Sequence, residues 1–369
     1  MRCDICPRKC NIDRSIKKGY CGMGEDPVVA RAFLHMWEEP CISGTRGSGA
    51  VFFSGCSLKC IYCQNHEISH EGRGREITVR ELANLFISLR DKGAHNINLV
   101  TPTHFGPAIR EALSIAKGHN SLSGQANAAA DMKPDPASAR PTDPASGIKP
   151  GRTSITQADP ASDIKPGRAS ITQADPASDI AEKEKGQYIY CANRTRPLDI
   201  PVVYNTNGYD RTTQLRLLEE HVDVYLPDLK YISPEVSKEY SGVSDYFDKA
   251  SSAVLEMYRQ KGEPVFDSGG MIKKGVIIRH LVLPGHTSET LRVLDWISEN
   301  ISSDAYVSLM SQYVPCHMAC VHSRIGRHIT RREYDKVVNG FLRLGLNGFV
   351  QERESASEEF IPDFDMDLY

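Results

Sequence analysis

No run of about 18 apolar residues occurs in the chain, so nothing in it reads as a helix that crosses a membrane. An excess of either charge is also missing, since 44 Lys and Arg stand against 47 Asp and Glu in 369 residues. Without such an excess there is no general field to steer the chain toward nucleic acid or an anionic lipid surface, and neither partner is expected. The opening residues Met1-Arg2-Cys3-Asp4-Ile5-Cys6 lack the charged-then-apolar order of an export signal, which points to a soluble, cytoplasmic protein. The glycine-rich loop that follows the first strand of a dinucleotide-binding sheet is absent as well. What remains is an ordinary globular composition, 40% apolar, in a chain long enough to bury a sizeable core and to be an enzyme.

Cysteine is abundant by contrast, with 11 residues. Most fall in tight groups: Cys3, Cys6, Cys10 and Cys21; Cys56, Cys60 and Cys63; Cys316 and Cys320. Such clustering in a chain without export features suits metals in a reducing compartment better than disulfides. The run Ser54-Gly55-Cys56-Ser57-Leu58-Lys59-Cys60-Ile61-Tyr62-Cys63-Gln64-Asn65 is the most informative. Its C-x3-C-x2-C spacing offers a four-iron cluster three of four ligands and leaves one iron open, whereas electron-transfer clusters and structural zinc sites close every position. A zinc site completed by a distant fourth ligand is the competing reading. Cys3, Cys6, Cys10 and Cys21 supply four thiolates of their own, for a structural zinc or an auxiliary iron-sulfur cluster. Cys316 and Cys320, flanking His317, either ligate a further metal or stay free, and Cys41 and Cys191 are expected to be free.

Four segments are expected: a Cys-rich N-terminal extension (1–46), a main domain in two pieces (47–118 and 197–351), a low-complexity insert (119–196) and a tail (352–369). Within the insert, from about Asp131 to Glu184, one unit repeats almost letter for letter: Asp143–Ala158 returns as Asp159–Ala174, and a third copy begins at Asp175 and stops at Ile180. Each unit has too few apolar residues and too many prolines to stack as a solenoid, so it reads as a disordered surface insert. Outside it, short apolar runs alternate with amphipathic stretches. Strands are expected at 50–54, 96–100, 201–205, 222–226, 276–283 and 305–311, and helices at 78–92, 107–117, 212–220, 248–261 and 288–300. Thr78 and Glu81 form a capping-box signature. Runs such as Val276-Ile277-Ile278 suit parallel strands buried on both faces, and repeated right-handed βα units curl into a partial (β/α)6 barrel resembling part of a TIM barrel. In such folds chemistry gathers at the carboxyl ends of the strands. Polar residues collect there: the cysteine triplet after the first strand, Thr101 and Thr103 after the second, Asn205 and Asn207 after the third, Asp228 and Lys230 after the fourth, and His317 beyond the sixth. Arg279 lies within the fifth, placed to point into the barrel.

The triplet and its neighbours, Gly47 to Asn65, together with Asp228-Leu229-Lys230 and Arg279-His280-Leu281-Val282-Leu283-Pro284-Gly285, resemble the radical S-adenosylmethionine superfamily, in the branch of the pyruvate formate-lyase activating enzymes. The resemblance covers nearly all of the chain except the insert. It implies a radical SAM barrel with a 4Fe-4S cluster on Cys56, Cys60 and Cys63. It also implies that S-adenosylmethionine chelates the open iron and is cleaved by one electron to a 5'-deoxyadenosyl radical, which then abstracts hydrogen. An electron donor such as flavodoxin or ferredoxin follows from the same comparison. So does a target, either a glycyl radical enzyme or a small molecule, nucleotide or peptide.

Cofactor roles carry over residue by residue. Tyr62 matches an aromatic position near the adenine, and Asn65 an asparagine that meets the ribose. Thr101 and Thr103 stand where the activases carry Gly-Gly-Glu, so hydroxyls or strand-end carbonyls take the substrate ammonium. Asn205 occupies an acidic position. Asp228 matches a ribose-binding carboxylate, Lys230 a cation on the methionine carboxylate and Arg279 a second cation. His317 stands in for a ribose-binding histidine. From a different class comes a non-catalytic zinc-binding interaction protein, with zinc in both large cysteine groups.

Overall fold

The computed structural model describes residues 2–118, 196–302 and 304–351. The repeated segment, Cys191 and the tail 352–369 lie outside the described residues. In chain order the elements are β1 (Val28–His35), α1 (Pro40–Ser43), β2 (Ser48–Phe53), α2 (His66–Ser69), β3 (Arg75–Glu76), α3 (Val79–Asp91), β4 (Ile97–Val100), α4 (Gly106–Ala116), β5 (Val202–Thr206), α5 (Thr212–Leu218), β6 (Val224–Pro227), α6 (Pro234–Ser241), α7 (Tyr246–Lys261), β7 (Val265–Phe266), β8 (Ile272–Leu281), α8 (Thr287–Asn300), β9 (Tyr306–Met310), α9 (Arg331–Leu344) and β10 (Asn347–Val350).

The strands form one sheet in the order β10-β9-β8-β6-β5-β4-β2-β1-β3, with β7 added beside β8. From β2 to β10 every neighbouring pair is parallel. Among the described residues the two ends, β3 and β10, do not pair with each other, so the sheet is not closed; its mixed α/β architecture around a parallel sheet matches the expected fold class. All six expected strands are present. Four others are not among those expected from the sequence: β1, which runs antiparallel to β2, the two-residue strands β3 and β7, and the outer strand β10. Val28–His35 was counted with the N-terminal extension, and its pairing makes it part of the main sheet.

Two helices, α3 and α9, start at capping boxes. Thr78 accepts from the Glu81 N–H while Glu81 accepts from Thr78, and Thr330 and Glu333 repeat this arrangement at the start of α9. Each such cap is worth about 1 kcal/mol. The outward faces of β2 and β4 (Val51, Phe53, Ile97, Leu99) bury against Leu82, Phe86 and Leu89 of α3 and Ile109 and Leu113 of α4. Each fully buried apolar side chain of this kind contributes roughly 1.5–3 kcal/mol. The inward faces behave differently. Val203, Val224, Leu226 and Ile277 pack on Cys41 and Ile42 of α1, so the segment after β1 closes the lumen at the amino ends of the strands. The opposite, carboxyl end carries the polar loops.

Candidate metal and cofactor site

Cys56, Cys60 and Cys63 sit in the loop that leaves β2. Gly55 allows that loop its turn: its φ is +80°, a region costly to residues with a Cβ, and its N–H donates to the Ile68 carbonyl at 2.8 Å. Each sulfur has a polar neighbour. Cys56 Sγ accepts from the Leu58 N–H at 3.4 Å and from Asn207 Nδ2 at 3.3 Å. Cys60 Sγ is 3.0 Å from Ser241 Oγ, and Cys63 Sγ is 3.2 Å from Ser69 Oγ. Burial pushes the Cys56 and Cys60 thiols up to about 11 and raises that of Cys63, and the sulfurs add to this by repelling one another's charge. The loop thus holds three thiols near each other, with donors arranged to support thiolates once a positive centre replaces the protons.

Lys230 and Asp228 stand beside them. Lys230 Nζ is 2.5 Å from Asp228 Oδ2. Burial works against the ammonium, but Asp228 and the sulfurs of Cys60 and Cys63 outweigh it and raise the Lys230 pKa. A cation therefore stays next to the triplet at neutral pH. Among the described residues no three His, Cys, Asp or Glu side chains converge tightly enough to ligate one metal ion.

The other expected residues divide. Asp228 and Lys230 come together as read. Thr101, just after β4, has φ +60°, an unusual conformation for a β-branched residue, and its N–H donates to the Asn205 carbonyl at 2.9 Å. Thr103 is committed elsewhere, its hydroxyl 3.2 Å from Thr206 Oγ1. Tyr62 is buried, with its hydroxyl bonded to that of Tyr231 and its ring edge-on to Tyr240 and Tyr313. Asn65 precedes α2 but makes no side-chain capping bond. His317, at φ +50°, stacks on His66 at 4.6 Å and meets His70 edge-on at 5.0 Å. Asn205 and Arg279 point deeper, into the lumen, where both bond Glu38.

Cys316 donates to the Tyr62 carbonyl at 3.3 Å, and burial, with Cys63 and Cys320 nearby, pushes its thiol up to about 12. Cys320 donates to the Pro315 carbonyl. Cys3, Cys6, Cys10 and Cys21 are gathered so that burial first, and then the other three sulfurs, raise Cys6 to about 12. Their module touches the triplet loop, where Arg8 Nε donates to the Ser57 carbonyl at 2.8 Å, and the segment after β4, where Arg14 donates to the carbonyl of His104.

Sequence reasoning missed Asn207 as a sulfur partner, and Ser241, Ser69, Glu38 and Glu39 altogether. Only Asn207 had a signal, its place after a strand end.

No family model matches the chain. Uncharacterized protein MJ0674 of Methanocaldococcus jannaschii is 25% identical over 344 residues, covering 91% of this chain and 73% of that protein. Among solved structures, Streptococcus suis SuiB bound to S-adenosylmethionine is similar with a TM-score of 0.42 and 11% identity over 80% of this chain. Methylornithine synthase (PylB) is similar with a TM-score of 0.41 and 13% identity, covering 92% of this chain and 74% of that one. The chain spans about half, 48%, of the length of SuiB.

Proposed function

We propose that the chain is a radical S-adenosylmethionine enzyme, with a 4Fe-4S cluster on Cys56, Cys60 and Cys63. The observation that carries this reading is the three-thiol loop, with Cys56 buried and Cys60 and Cys63 half-buried, beside the Lys230–Asp228 pair at the carboxyl ends of parallel strands. The bound cluster supplies the electron and S-adenosylmethionine supplies the radical. The protein's own residues do the rest. Asn207, Ser241 and Ser69 hold the sulfurs in place, Lys230 balances a carboxylate, and Asp228 offers acceptors to ribose hydroxyls while it orients Lys230. Tyr62, Tyr231 and Tyr240 pack around the loop and keep water from it.

The finer reading is an activating enzyme whose target is a glycyl radical protein, with flavodoxin or ferredoxin as electron donor. It is supported by the likeness of the segments 47–65, 228–230 and 279–285 to the activases. The N-terminal quartet is proposed to hold zinc or a second cluster that braces the triplet loop.

Anaerobic reconstitution with iron and sulfide tests the proposal. The expected result is a brown protein with an S = 1/2 signal on reduction, which changes when S-adenosylmethionine is added and which forms methionine and 5'-deoxyadenosine. A colourless protein that retains zinc and cleaves nothing would sink it.

A further inference from the structure

One sulfur of the triplet stands at the end of a row of buried hydroxyls. Ser241 Oγ is 3.0 Å from Cys60 Sγ and 3.0 Å from the Tyr231 hydroxyl, which is bonded in turn to the hydroxyl of Tyr62. Ser241, Tyr231 and Tyr62 are 0%, 1% and 6% exposed. The row starts and ends on the same loop, since Tyr62 lies between Cys60 and Cys63. Its frame is fixed by backbone as well: the Ile61 N–H donates to the Tyr240 carbonyl at 2.9 Å and the Lys59 N–H to the Ser241 carbonyl at 3.5 Å, which ties the last turn of α6 to the loop.

Counting protons gives the row a direction. A hydroxyl has one proton to donate, and phenols keep theirs at neutral pH. Run toward the sulfur, Tyr62 donates to Tyr231, Tyr231 to Ser241 and Ser241 to Cys60, so every proton has an acceptor. Run away from it, the row needs a proton on Cys60 and leaves that of Tyr62 without an acceptor among the described residues, at the cost of an unmade buried hydrogen bond. A ligating thiolate carries no proton and accepts only, which removes the second order altogether. The other sulfurs are served differently. Cys63 has the single hydroxyl of Ser69, and the Asn207 amide at Cys56 is shared with Ser57 Oγ at 3.3 Å. A hydroxyl that accepts one hydrogen bond donates the next more strongly, so Ser241 is the donor reinforced from behind.

We propose that Ser241, oriented by Tyr231 and Tyr62, is a positioning residue that raises the reduction potential of the cluster through Cys60. The electron taken up by the cluster comes from the external donor, which is oxidised by one electron, and no proton moves along the row. The added negative charge falls partly on sulfur, and a hydrogen bond aimed there stabilises the reduced state over the oxidised one. The inference rests on the proposed 4Fe-4S cluster but not on S-adenosylmethionine cleavage.

Redox titration of the reconstituted full-length chain with dithionite and mediators, followed by electron paramagnetic resonance, tests it. At the wild-type midpoint, Ser241→Ala is expected to lower the ratio of reduced to oxidised cluster about fivefold, a fall of about 40 mV for one electron. Tyr231→Phe touches no sulfur and is expected to lower the ratio about twofold. Tyr240→Phe is the control: its ring is as buried, but its hydroxyl is 2.8 Å from His286 Nε2 and outside the row, so the midpoint should stay in place. An unmoved midpoint in loaded Ser241→Ala would overturn the proposal, as would equal shifts in Tyr231→Phe and Tyr240→Phe. If Ser241→Ala does not take up a cluster, the comparison of the two tyrosine variants decides. Cleavage of S-adenosylmethionine is measured separately. Midpoints that move as expected in a chain that never cleaves keep the role of Ser241 and lose the enzyme reading; cleavage with unmoved midpoints loses the role of Ser241 alone.

Discussion

Alanine at Cys56, Cys60 or Cys63 is expected to abolish reductive cleavage of S-adenosylmethionine and to lower bound iron after reconstitution. The loss should lie well beyond the roughly 10–100-fold that follows removal of a supporting partner around a metal, because a ligand itself is missing. Cys316→Ala is the informative control. Its thiol lies near enough to Cys63 for that sulfur to raise its proton affinity, yet it is turned to the Tyr62 carbonyl. Cleavage should persist in that variant if three thiolates suffice. Iron content and 5'-deoxyadenosine yield, measured together, check the result. Full cleavage by any triplet variant removes the catalytic assignment, and loss of cleavage with Cys316→Ala would mean that the site is closed by a fourth thiolate.

Gly55→Ala is expected to do nearly as much damage without touching a ligand. A Cβ at this position would sit 2.5 Å from Met23 Cγ and 2.6 Å from the Cys21 carbonyl oxygen, and the residue already has a positive φ. The Met23 side chain can swing away, but the carbonyl moves only if the N-terminal module lifts from the triplet loop. Gly93→Ala isolates the backbone cost. It has a similar φ of +94° with nothing within 4 Å of its Cβ, so it should cost only about 1–2 kcal/mol of strain. Chemical denaturation should find Gly55→Ala clearly less stable than Gly93→Ala, and reconstitution should find it poorer in iron. Equal behaviour of the two would show that the module does not brace the loop.

Much of this molecule was legible in advance, for identifiable reasons. Six parallel strands announced themselves because burial on both faces demands uninterrupted apolar runs, and Thr78 and Glu81 announced α3 because a capping box is a local device. α9 carries the same device in Thr330 and Glu333 and could have been read the same way. β1 was hidden by its mixed pattern, Val-Val-Ala-Arg-Ala-Phe-Leu-His, next to a cysteine group that drew the boundary elsewhere, and β10 by its brevity and exposure. In the site, Lys230 and Asp228 were readable because their chemistry lies two residues apart. Ser241 and Asn207 were not, since a serine or an asparagine acquires its role only when folding brings it from far along the chain to a sulfur. Glu38 and Glu39, an acidic pair before a proline, carry no signal in the sequence, and only the fold turns them inward. Thr103 likewise gains a partner only through folding, its hydroxyl lying 3.2 Å from Thr206 Oγ1.

The floor laid by Cys41 and Ile42 bears on kinetics. The packing of Cys41 and Ile42 on the inward faces of the strands leaves the opposite rim, where the cysteine loop lies, as the side from which a small molecule would approach the lumen. With the proposed S-adenosylmethionine seated at that rim, an excess of it should slow the uptake of any second small molecule in stopped-flow mixing.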